Sequence, residues 1–100
     1  MKDKLNGTLE RTVRLLVECG QSHKAIWFSG QIERLQESQD DSIEIKQIAK
    51  NIRLLLAGMG SFSDLSLNPL EQSSMSIVEA HHLKWVLANE LDEITGEILG

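Results

Sequence analysis

Leucine, isoleucine, valine and alanine recur along this chain at spacings of three and four, the period of an amphipathic helix, and four segments carry the pattern. From about residue 4 to 19, Leu5, Leu9, Val13 and Leu16 form one stripe with Val17 beside it, and Gly20 is placed to stop the helix. Gly7 and Thr8 near its beginning predict a frayed first turn or a start at Thr8. A second helix is expected from an N-cap at Ser22 to about Glu37, with Ala25, Phe28, Ile32 and Leu35 facing one way. Trp27 lies off that stripe, where it closes the edge of the core or meets another helix.

Asp41 followed three residues later by Glu44 has capping-box spacing and opens the clearest helix of the chain. Its apolar stripe is Ile45, Ile48, Ala49, Ile52, Leu55 and Leu56, which leaves Lys46, Lys50 and Arg53 to face water. A last and longest helix is predicted from about Ser73 or Ser74. There Ala80, Leu83, Leu87, Leu91, Ile94 and Ile98 hold a narrow stripe for five turns, with Thr95-Gly96 loosening the end.

Between the third and fourth helices the helical period breaks at Gly58-Met59-Gly60-Ser61-Phe62-Ser63-Asp64-Leu65. Two glycines open backbone angles closed to other residues, and the serines and aspartate can bond the exposed backbone of a turn. Phe62 in the middle argues against a bare linker. The expectation is an ordered loop in which Gly58 caps the third helix, Gly60 allows the reversal, Phe62 plugs into the core and Asp64 accepts backbone N–H bonds. Leu65, Leu67 and Leu70 then alternate with polar residues through Asn68-Pro69, which predicts an extended or single-turn connection. The fold class that follows is all-α: one domain spanning residues 1–100, an antiparallel bundle of about four helices with a Gly-rich loop between helices 3 and 4.

Composition agrees with this. Of 100 residues, 41% are apolar but only 4% aromatic, with no tyrosine and one proline, so the core must be built from aliphatic side chains that favour helices. Cys19 is the single cysteine, and residues 2–4 are Lys-Asp-Lys with no apolar signal core behind them, which points to a cytoplasmic chain. The run Leu54-Leu55-Leu56-Ala57 is far short of the ~20 residues a membrane span needs.

Charge changes the picture more. The net charge of −5 is unevenly spread: residues 1–53 hold nine of the ten lysines and arginines against eight acids, a net +1, whereas residues 54–100 hold only Lys84 against seven acids, a net −6. An acidic half of this kind repels nucleic acid and attracts basic partners. At ~100° per residue, Glu79, Glu90, Glu93 and Glu97 fall within about 40° of one line on the last helix, with Val86 among them, His82 at the edge and Asp92 nearby. That line is either a solvated helix face or a docking surface for a basic protein.

Catalytic chemistry finds little support. His81 and His82 are adjacent, point about 100° apart on a helix and cannot chelate one ion together, so neither a metal nor another cofactor is expected. Ser61, Asp64 and a histidine lack the strand framework of a hydrolase elbow, and no catalytic residue is assigned. Lys46, Lys50 and Arg53 form a short basic stripe without interleaved aromatics, which is a weak basis for nucleic-acid binding. Trp85 lies off the main stripe as a second packing side or an interface anchor.

The 58–65 segment resembles a Gly-Met-Gly-Ser-Phe-Asn-Asp-Leu type motif found between two helices in a group of small helical bacterial proteins, with Ser63 in the asparagine position. Some members are associated with toxin immunity, including contact-dependent growth inhibition systems. The resemblance implies an immunity protein that binds a cognate, basic toxin domain, with a nuclease as the natural class, and occludes its active site. Glu79, Glu90, Asp92, Glu93 and Glu97, together with Asp64, are then the expected contacts. The alternative is a helical adaptor or homodimer that uses Val78, Trp85 and Ala88 as an apolar face.

Overall fold

The computed structural model describes residues 2–39, 42–56 and 66–100. Four helices follow one another: α1 Lys2–Glu18, α2 Ser22–Glu37, α3 Ile43–Leu56 and α4 Ile77–Leu99. Among the described residues there is no strand. The molecule measures 41 × 24 × 19 Å. Helix α4, at 23 residues and ~1.5 Å per residue, therefore runs most of its length.

The predicted stripes form one shared core. Leu5, Leu9, Leu16, Phe28, Leu35, Ile48, Ile52 and Leu91 are fully buried, with Trp27, Ile32, Leu55, Leu83 and Ile98 packed at its margin. Trp27 meets Phe28 edge-on, ring centroids 5.0 Å apart. Helix α1 departs from its expected stripe. Val17, expected beside it, is 55% exposed, while Thr8 and Thr12 are buried. Their hydroxyls donate to the carbonyls four residues back, to Lys4 at 3.2 Å and to Thr8 at 2.8 Å, so the polar groups enter the interior satisfied.

Helix α1 ends as glycine chemistry dictates. Gly20 has φ +72°, Gln21 N–H donates to Leu16 C=O at 2.8 Å and Gly20 N–H to Val17 C=O at 3.1 Å, the paired bonds of a Schellman turn. Its first turn is helical from Lys2, not frayed. That turn is tied down by the Lys2 ammonium, which donates to Ser38 C=O at 2.6 Å. The same bond sets the start of α1 beside the end of α2, so the two run antiparallel.

Two expected boundaries are corrected, the starts of α2 and α4. Ser22 is the first residue of α2 rather than its cap: the Schellman turn positions Gln21, whose carbonyl accepts from Ala25 N–H at 2.9 Å. At α3, Ser42 Oγ accepts from Ile45 N–H at 3.4 Å, and the Glu44 carboxylate accepts from Ser38 Oγ at 2.8 Å; Asp41 lies outside the described residues. Helix α4 begins at Ile77, because Ser76 Oγ accepts from Glu79 N–H at 3.1 Å and donates to the Glu79 carboxylate at 3.4 Å. Ser76 is thus the N-cap of α4, in a Ser-x-x-Glu sequence whose glutamate meets the cap hydroxyl. Nor does α4 loosen at Thr95-Gly96, since Thr95 Oγ1 donates back to Leu91 C=O at 2.6 Å and the helix continues to Leu99.

The connection before α4 is extended, as the alternating leucines predict, and it docks on the end of α1. Leu67 is fully buried, Leu70 N–H donates to Glu18 C=O at 2.8 Å and Ser73 Oγ donates to the Glu18 carboxylate at 3.2 Å. The roles expected for Gly58, Gly60, Phe62 and Asp64 lie outside the described residues. The extensive helix seams are α1–α2, α1–α4 and α3–α4, with α2–α3 slighter, so α4 sits between α1 and α3. Among the described residues no helix is long and apolar enough to cross a membrane.

Candidate functional site

Helix α4 turns one side toward α1 and the other toward α3, and its carboxylates divide between them. Glu90 faces α1. Its carboxylate accepts from the Arg11 guanidinium at 2.9 Å and from Thr8 Oγ1 at 3.3 Å. Both partners are partly exposed, so the pair contributes on the order of a surface bridge, ~0–1 kcal/mol, but it fixes where the carboxylate points. Asp92 lies roughly 140° round the helix from Glu79, counted at ~100° per residue. There it pairs with Arg53 at 3.2 Å, while the same guanidinium donates to Asp92 C=O at 2.8 Å and Thr95 Oγ1 at 3.1 Å. Arg53 does not simply face water, as a stripe with Lys46 and Lys50 implied; it crosses the α3–α4 seam. Asp92 therefore does not share the line of Glu79, Glu90, Glu93 and Glu97.

The remaining acids differ in what already holds them. The Glu79 carboxylate accepts from Ser76 Oγ at 3.4 Å. Glu93 and Glu97 are exposed and, among the described residues, make no ion pair or side-chain hydrogen bond. Lys84, the only base of the acidic half, is just 5% exposed, with its ammonium 5.5 Å from the Trp85 ring centroid. The C-terminal half consequently presents carboxylates to solvent with no exposed lysine or arginine among them.

Two hollows run along the α1–α4 seam beside this line. One, of about 450 Å³, is lined by Asp3, Lys4, Gly7, Thr8, Arg11, Glu90, Glu93 and Ile94. A Cβ built on Gly7 would meet nothing within 4 Å, so the glycine leaves the floor open rather than making room for a neighbour. The other, of about 230 Å³, lies toward the start of α4, over Leu15, Met75, Leu83 and Leu87. The Arg11–Glu90 bridge stands between them. No protein-family model, curated protein or solved structure matches this chain. The site is therefore judged by its chemistry.

Among the described residues no group of three His, Cys, Asp or Glu side chains is arranged to hold a metal ion. Cys19 is buried; burial, and then the charge of Glu18, push its thiol above the ordinary value, which keeps it in the unreactive neutral form. Of the apolar face proposed as an alternative, Val78 and Trp85 are 79% and 56% exposed, but Ala88 is buried and does not belong to it.

Two features escaped the sequence pattern. Gln31, on the core side of α2, is 7% exposed and, among the described residues, its Oε1 has no hydrogen-bond partner; it borders a groove with Trp27, Arg34, Asn51, Leu54 and Leu55. A glutamine between apolar positions carries no signal of whether it will be satisfied. The other is the N-cap at Ser76, whose Ser-x-x-Glu spacing was a signal that could have placed the start of α4.

Proposed function

We propose that this protein is an immunity protein, a stoichiometric cytoplasmic binder without catalytic activity that neutralises a cognate basic toxin domain by covering its active site. The observation that carries the proposal is the exposed acidic line of α4, where Glu93 and Glu97 are uncommitted and no exposed base dilutes the charge. A nuclease is the toxin class this best suits, because a protein that grips a polyanion presents a basic groove, which an acidic surface finds quickly and fills. The resemblance of residues 58–65 to immunity proteins supports the same reading.

Glu79 and Glu90 are poor choices for a test, since one lies in the first turn of α4 beside the Ser76 cap and the other holds Arg11. The informative variant is Glu93→Lys with Glu97→Lys. Its binding to the cognate toxin domain, sought as the toxic C-terminal domain of any large secreted protein encoded beside this chain, is expected to weaken roughly ten- to a hundredfold at low salt, with a shallower salt dependence. Unchanged affinity and unchanged salt dependence would remove α4 as the docking surface.

A second reading is favoured by one observation, the exposure of Val78 and Trp85 on another side of α4. Exposed apolar groups on one helix face suit an adaptor or homodimer contact. The mass of the isolated protein in solution, measured for wild type and Trp85→Ala, separates a monomer awaiting its toxin from a self-associated form.

A further inference from the structure

We infer that the 230 Å³ hollow at the α1–α4 seam is an anchor pocket that takes one apolar side chain of the toxin domain, with an acidic neighbour of that side chain meeting Arg14. The inference rests on the proposed function and deepens it. Size argues first. Small-molecule sites span ~300–1,000 Å³, so a hollow of about 230 Å³ suits one leucine- or phenylalanine-sized group better than a separate ligand. Its lining argues second: Leu15, Met75, Leu83 and Leu87 give an apolar floor and walls, and interfaces concentrate their energy where one large side chain fills such a desolvated pocket.

Charge argues third and fixes the orientation. Arg14 stands at the rim, exposed and without an ion pair among the described residues, whereas Glu18, one turn further along α1, already accepts from Ser73 Oγ. Beyond the Arg11–Glu90 bridge lie Glu93 and Glu97. Along α1 the rim of the hollow runs from Glu18 through Arg14 to the Arg11–Glu90 bridge, beyond which Glu93 lines the larger hollow with Asp3 and Lys4. A complementary toxin segment carries an apolar anchor with an acid beside it for Arg14, and bases further along for Glu93 and Glu97. The hollow supplies the affinity that exposed charges cannot, since each of those is worth little.

Met75→Trp fills the hollow from the connection before α4 without altering the acidic line, and Arg14→Glu reverses the rim at an exposed position that does not disturb the core. With the toxin domain as the binder, Met75→Trp is expected to lose roughly thirtyfold or more in Kd, the size of a hot-spot loss, and Arg14→Glu several-fold. If both leave Kd within about threefold while Glu93→Lys with Glu97→Lys weakens it, the anchor pocket is overturned and the acidic face stands. If none of the three weakens binding, the face itself is wrong and the pocket falls with it. Independently of the toxin, 4-methylpentanoate, a leucine side chain bearing a carboxylate, should shift the methyl resonances of Leu83 and Leu87 in wild type and not in Met75→Trp. Absence of that shift in wild type also counts against the pocket, and should Met75→Trp misfold, Arg14→Glu alone decides.

Discussion

Single residues in this protein often carry a different duty from the one their type suggests. Thr8 and Thr12 serve as core residues because the helix supplies acceptors for their hydroxyls, and Arg53 serves as a strap because α4 offers it a carboxylate and a carbonyl together. The duty of Arg53 was not legible locally, since its partners lie across a seam and far along the chain. Gln31 is the converse, an interior amide whose oxygen is left without a donor. An unsatisfied buried carbonyl costs ~1–3 kcal/mol, so Gln31→Met should raise the urea midpoint by about 1 kcal/mol equivalent without changing the slope. Cys19 gives a pH prediction. Its raised pKa means that the folded state favours the neutral thiol, so this stabilisation is complete below the ordinary thiol value and is lost as pH rises through the higher folded value. Stability should fall on the alkaline side more steeply in wild type than in Cys19→Ala, and iodoacetamide should label Cys19 slowly until the protein unfolds.

At the scale of elements, the apolar stripes were legible and the ends were not. A stripe depends only on period, whereas an end depends on which nearby hydroxyl or glycine wins the backbone. Two helix glycines show how differently the same residue can act. At Gly20 the left-handed φ and Leu70 Cδ2 only 3.1 Å from a built Cβ leave no room, so Gly20→Ala should destabilise by at least about 1 kcal/mol. At Gly7, inside α1 and facing open space, Gly7→Ala should stabilise by ~0.5–1 kcal/mol. Thermal unfolding of the two single variants should move in opposite directions. If Gly7→Ala stabilises the fold but weakens toxin binding, the open floor of the larger hollow belongs to the interface.

At the scale of the molecule, fold class and charge asymmetry were both present in the sequence, because each is a sum over many residues and survives local error. What the sum hid was its arrangement. The basic half lends Arg11 and Arg53 to the acidic half across two seams, and the acidic half keeps Lys84 out of solvent, so the exposed charge is more one-sided than the count implies along the outer line of α4 and less so at its flanks. Helix α4, packed between α1 and α3, is also the last of the four to leave the ribosome. Until it emerges, both neighbouring helices have apolar faces with nothing against them and the acidic line does not exist. Protection by such a protein would therefore begin only when this final stretch has been synthesised, and a chain interrupted before residue 77 would offer no partial shield.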